Sequence, residues 1–149
     1  MKLIKIANIK KILSFFWKQN GSPYYNAKGI AVGILSGCFP FFGFQTLIGL
    51  FLARILRGNL TLAAIGTWIS NPFTYVPLYI FNYKVGTLFI KNSSTLNIES
   101  NSINNGLWHQ GWIVTLRILF GSLCVGLILG ISSGVIGYVM YKYFLRKDN

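Results

Sequence analysis

Three long uncharged runs divide the chain, and short basic segments separate them. Residues 29–53 hold 25 consecutive uncharged positions between Lys28 and Arg54. Residues 58–83 hold 26, ending at Lys84, and residues 118–141 hold 24, between Arg117 and Lys142. A helix that crosses a bilayer needs about 20 apolar residues, so each run is long enough. The pattern predicts an all-α membrane protein.

The first two runs are interrupted. One contains Gly37-Cys38-Phe39-Pro40-Phe41-Phe42-Gly43-Phe44-Gln45, the other Ser70-Asn71-Pro72-Phe73-Thr74-Tyr75-Val76-Pro77. Proline removes a helical hydrogen bond and clashes with the preceding turn, so Pro40, Pro72 and Pro77, with Gly43, predict helix breaks. Asn71 before Pro72 also reads as the cap of a new half-helix. The resulting pieces of about 10–14 residues suit re-entrant hairpins or discontinuous helices better than straight spans. Two broken segments, 29–57 and 59–90, therefore precede one straight span over 113–141.

Small residues recur at helical spacing in two of the runs. Gly29, Gly33 and Gly37 lie on one face, as do Gly126, Gly130 and Gly134. Such rows let helix backbones approach closely in lipid. They fit either packing of these two helices on each other or a homo-oligomer contact.

The remaining segments are polar or amphipathic. Over residues 1–19, Ile6, Ile9, Ile12, Leu13, Phe16 and Trp17 keep helical spacing while Lys10, Lys11, Ser14 and Lys18 fall opposite. A basic amphipathic helix with a Trp predicts a surface helix lying in the membrane interface. Residues 92–111 are rich in Asn and Ser and predict a solvated loop. Residues 142–149 form a basic tail, leaving 20–145 as a single membrane domain.

Composition supports this division. The chain is 53% hydrophobic and 11% charged, where a soluble domain carries about a quarter charged residues. Fourteen Lys and Arg face only Glu99 and Asp148, for a net charge of +12. Basic chains often bind nucleic acid, but here the cations sit at the ends of apolar runs rather than in a stripe, which argues against that partner. Positive charge in short loops marks the cytoplasmic side. If all three runs cross, nine cations lie inside and five outside; if the first dips in and returns, eleven lie inside and three outside. The second arrangement obeys the rule better and puts both termini in the cytoplasm.

Candidates for chemistry are few. His109, close to Trp108 and Trp112, reads as an interfacial anchor. Glu99 lies in the polar loop and Asp148 beside the last residue, so no carboxylate is available for proton coupling inside the membrane. Cys38 and Cys124 read as buried free thiols. No nucleophile–base pair or metal-ligand set is present, and the sequence predicts neither an enzyme nor a cofactor or metal site. What remains is polar: Gln45, Thr46, Ser70, Asn71 and Thr74 lie deep in apolar runs, where unsatisfied groups are costly. They fit either satisfaction of backbone freed at the breaks or an anion site built on half-helix N-termini. Lys28, Arg54, Arg57 and Lys84 are the basic residues nearest that site, and each also reads as an interfacial snorkeller. Gly58 suits a helix end and Asn59 an N-cap, so Arg57 is held in a tight hairpin where its guanidinium suits a lipid phosphate.

The two Pro-Phe breaks, the Arg57-Gly58-Asn59 turn and the block Gly66-Thr67-Trp68-Ile69-Ser70-Asn71-Pro72-Phe73-Thr74 resemble a bacterial integral membrane family catalogued as domain of unknown function 2062. The resemblance covers about residues 20–140 and implies the bacterial inner membrane. Similar sequences occur alone or joined to glycosyltransferase domains, which implies a link to lipid-linked sugar metabolism. Two functions are expected from this reading. One is binding or translocation of an anionic lipid, polyprenyl lipids included, or of a small anionic solute through the broken helices. The other is a membrane adaptor that recruits an enzyme such as a glycosyltransferase, with no transport.

Overall fold

The computed structural model describes residues 22–41, 43–90 and 103–142, with side chains from residue 111 onward in the last stretch. The amphipathic segment 1–19, His109 and the tail beyond 142 lie outside the described residues or side chains. All regular structure among the described residues is helical: α1 (Pro23–Gly37), α2 (Phe44–Ile55), α3 (Leu60–Gly66) with a 3-10 turn at Thr67–Ile69, α4 (Tyr75–Phe89) and α5 (Ile103–Met140).

The helix α1 starts six residues before the uncharged run. Ser22 caps it, its Oγ accepting from the Tyr25 amide at 3.2 Å, and Pro23 takes the first helical turn. A charge-free window marks where lipid could lie, whereas Ser-Pro marks where a helix begins. At the other end, the Cys38 amide donates to Ile34 and Leu35 carbonyls, and Pro40 follows. The chain restarts at Gly43, whose φ of +79° suits only glycine without strain.

The turn after α2 is a Schellman motif: the Arg57 amide donates to Arg54 and the Gly58 amide to Ala53 at 2.7 Å. The left-handed position belongs to Arg57, with φ of +52°, and not to Gly58 as the sequence suggests. Gly58 serves another need. A Cβ there would crowd the Gly29 nitrogen at 3.0 Å and the Lys28 side chain at 3.1 Å.

Pro72 falls within a break and Pro77 does not. Asn71 Oδ1 accepts from the amides of Phe73 and Thr74, and the Thr74 hydroxyl donates to the Ile69 carbonyl at 2.6 Å. The helix then begins at Tyr75, so Pro77 lies in its first turn. An amide there has no intrahelical acceptor, and its absence costs nothing. The helix α5 likewise begins at Ile103, inside the segment expected to be a polar loop up to residue 111.

The order of contacts fixes the architecture. Positions Gly29, Gly33 and Gly37 on α1 meet Asn59, Ala63 and Thr67, so α1 and α3 run parallel with backbones nearly touching. Positions Gly126, Gly130 and Gly134 on α5 meet Leu35, Ala31 and Ala27 in descending order, so α5 runs antiparallel to α1. The two glycine rows therefore do not face each other. The α1 row covers α3, and the α5 row meets the opposite face of α1. Further along α5, Gly121 lies against Asn82 and Arg117 against Gly86, so α4 continues the line of α1. The 15-residue helices α1 and α4 thus divide the length of α5 between them. The hairpin of α2 and α3 packs against α1.

The interior is small and polar, and the exterior is large and apolar. Buried apolar residues are Ala27, Val32, Cys38, Ala53, Leu62, Ala63 and Val125, while Asn26, Asn82, Ser36, Thr67 and Ser122 are also buried. Phe73 is 90% exposed, Trp68 77% and Leu88 71%. Water would drive such side chains inward. Residues Gly111–Met140 of α5 form a helix long and apolar enough to cross a membrane.

Candidate functional site

The candidate ligand residues fall into two groups at opposite ends of α2. Gln45, Thr46, Ser70, Asn71 and Thr74 gather at the two breaks, and each is bonded to protein. Ser70 Oγ donates to Gln45 Oε1 at 2.8 Å, and Gln45 Nε2 donates back to the Ser70 carbonyl at 3.4 Å. Thr46 and Thr67 share a hydroxyl bond of 3.1 Å. Asn71 and Thr74 close the second break as described above. These bonds tie the end of α3 to the start of α2, so the side chains lock the two interruptions at one level.

Arg54 and Arg57 lie nine and twelve residues along from Gln45, and α2 sets Arg54 about 14 Å from it. Both are exposed. Their neighbour is Lys28: its Nζ donates to the Leu56 carbonyl at 3.0 Å and stands 4.4 Å from the Tyr24 ring centre. This leaves ammonium protons for a further acceptor. Three cations therefore share one end of the molecule. The only acidic residues of the chain, Glu99 and Asp148, lie outside the described residues, so no carboxylate neutralises this end among them.

At the opposite end of α5, Arg117 is internally engaged. Its Nε donates to the Ile90 carbonyl at 3.2 Å and a terminal nitrogen to the Tyr83 hydroxyl at 3.1 Å. It holds the end of α4, where a cation complements the helix dipole.

Two buried asparagine nodes hold the helices together; the N-cap expected at Asn59 is present, whereas its partner Asn26 and the second node, Asn82, are not among the residues the sequence singles out. Asn59 caps α3 by accepting from the Thr61 and Leu62 amides, and its Nδ2 donates to Asn26 Oδ1 at 2.7 Å. Asn82 Nδ2 donates to the Cys38 carbonyl at 3.0 Å and to Ser122 Oγ at 2.9 Å, joining α4, α1 and α5. Its Oδ1 is buried without a partner. For Asn82 the available signal was an amide inside an uncharged run; Asn26 precedes the first run, and attention to polar residues beside prolines passes over both. Cys38 is buried and Cys124 half-buried, and both are free thiols.

No curated protein and no solved structure matches the chain. The sequence profile of one family does match, over residues 7–149, and the family is described as an uncharacterised protein conserved in bacteria (DUF2062). The inside-out packing, the two Pro-Phe breaks and the straight last helix are thus set in a chain that belongs to the bacterial family DUF2062.

Proposed function

We propose that the protein is embedded in the bacterial inner membrane and binds an anionic lipid at the end formed by Lys28, Arg54 and Arg57, with no catalysis of its own. The large apolar exterior supports the embedding, since contiguous exposure on this scale suits hydrocarbon rather than water. From Arg117 to Tyr138, α5 rises about 32 Å, close to the hydrocarbon thickness of about 30 Å. At 15 and 12 residues, α1 and α2 are each too short to span, and in this reading they form a re-entrant hairpin. The α3–α4 pair makes a broken crossing and α5 returns, which puts the Arg57 turn and both termini on the cytoplasmic side.

The observation that carries the binding reading is the meeting of Lys28 with the 56–58 turn, three cations without a described carboxylate. A phosphate headgroup is the anion such a site meets in a cytoplasmic leaflet. Arg57 strengthens the case, because a non-glycine residue in the left-handed region carries strain of about 1–2 kcal/mol that a purely structural turn would avoid with glycine.

Native mass spectrometry of the detergent-extracted protein tests this. The wild type should retain a phospholipid or polyprenyl phosphate. Arg57→Ala and Lys28→Gln should each deplete it, by about fivefold for one cation near a membrane surface. Gln45→Ala should leave it in place, because Gln45 is bonded at the breaks. Lipid-free protein, or lipid indifferent to both cation changes, would contradict the reading.

One observation favours the second reading, a membrane adaptor for an enzyme such as a glycosyltransferase. Every candidate polar residue at the breaks is bonded to protein, which suits tightly packed hairpins rather than a path for a solute.

A further inference from the structure

A groove of 730 Å³ runs between α1 and α5 at the cationic end. Its floor is small, with Ala31 and Gly134 in contact, and its α5 wall is Ile131 and Val135, which are 63% and 57% exposed. Tyr24 and Tyr138 line its outer end, where amphipathic rings suit a membrane interface. Among the described residues, Lys28 is the only charged one that lines it. Its volume falls within the range of small-molecule sites, and its lining is apolar apart from that one ammonium and the tyrosine hydroxyls.

We propose that this groove holds an acyl chain of an anionic phospholipid from the surrounding bilayer, with the phosphate on Lys28. This rests on the reading of the cationic end as a site for an anionic lipid and adds where the lipid's acyl chain lies. Charge complementarity selects the occupant. An uncharged chain or an apolar partner helix would fill the groove yet bring the Lys28 ammonium no anion beyond the carbonyl and ring that it meets among the described residues. A partner helix bearing a carboxylate is the competing occupant, and the test separates it.

The full chain in mild detergent is supplied with phosphatidylglycerol or phosphatidylcholine, and retained lipid is counted by native mass spectrometry. Val135→Trp and Ile131→Trp fill the groove from its exposed side, so neither strains the packed interior. Ile128→Trp, on an exposed α5 position that does not line the groove, is the control. The expected result is at least about a fivefold loss of phosphatidylglycerol in both groove variants and none in the control. Lys28→Gln should narrow the preference for phosphatidylglycerol over phosphatidylcholine by about fivefold. If Arg57→Ala and Lys28→Gln deplete the lipid while both groove variants keep it, the groove assignment is overturned and the anion site stands. If no variant changes lipid retention, both fall. A stable dimer that the groove variants split, with no bound lipid, would assign the groove to a second copy and overturn the proposal.

Discussion

Gly121→Ala and Gly86→Ala are each expected to unpack α4 from α5. A Cβ on Gly121 would overlap the Asn82 carbonyl, and one on Gly86 would overlap the Arg117 carbonyl. Both obstacles are backbone, so no side-chain rotation relieves them. The helices must separate, and separation also stretches the Asn82 bonds to Ser122 and Cys38. Overpacking of this kind costs about 1–3 kcal/mol, and a buried interhelical hydrogen bond in a membrane adds about 0.6 kcal/mol. For a chain of this length the midpoint of thermal unfolding should fall by on the order of 10 °C. Gly111→Ala is the control, since among the described residues nothing lies within 4 Å of its Cβ position. It should leave the midpoint unchanged or raise it slightly, as alanine is the better helix former. A Gly121→Ala protein as stable as the wild type would refute the close crossing.

The second large effect is expected at Asn59. One side chain both caps α3 and donates to buried Asn26, so Asn59→Ala removes two functions at once. Loss of the cap costs about 1 kcal/mol, and disrupting a buried hydrogen bond adds about 1–3 kcal/mol. Asn59→Ser separates them, since serine caps well yet is too short to replace the amide that reaches Asn26. Thermal unfolding in one detergent should therefore rank wild type, Ser and Ala in falling order. Hydrogen exchange should report fraying at the Thr61 and Leu62 amides in the Ala variant alone. Equal stability of the Ser and Ala variants would deny the cap a measurable share.

Why were some of these residues legible in the sequence and others not? Pro40 and the Asn71-Pro72 pair announce interruptions because their covalent chemistry forbids a continuous helix wherever they fall inside one. The long last helix was legible for the converse reason: no proline interrupts residues 118–141. Pro77 misleads, because the same ring is harmless in a first turn, and which turn it occupies depends on where Thr74 ends the break. Residues 103–110 carry loop-like Asn and Gly, but a long apolar helix already nucleated downstream extends through them at little cost.

The glycine rows were legible as close contacts and illegible as to partner. Spacing by four gives a face, and only the fold decides that the α1 row meets α3 while the α5 row meets α1. The candidate site divides in the same way. Gln45 and Arg57 look like one site because a short hairpin joins them in sequence, yet α2 holds them at its two ends. Lys28 joins Arg57 only because α1 runs parallel to α3 and brings the 56–58 turn back to its flank.

That return of the chain is the centre of the account, and cysteine labelling tests it most directly. With Cys38 and Cys124 replaced by alanine, single cysteines are introduced as Arg57→Cys, Lys142→Cys and Phe89→Cys and treated with a membrane-impermeant maleimide. The account predicts labelling of the first two only in inverted vesicles, and of the third only in intact spheroplasts. Arg57→Cys labelled from the outer face would mean that the first broken segment crosses the membrane, and would contradict the re-entrant hairpin and the cytoplasmic cationic end together.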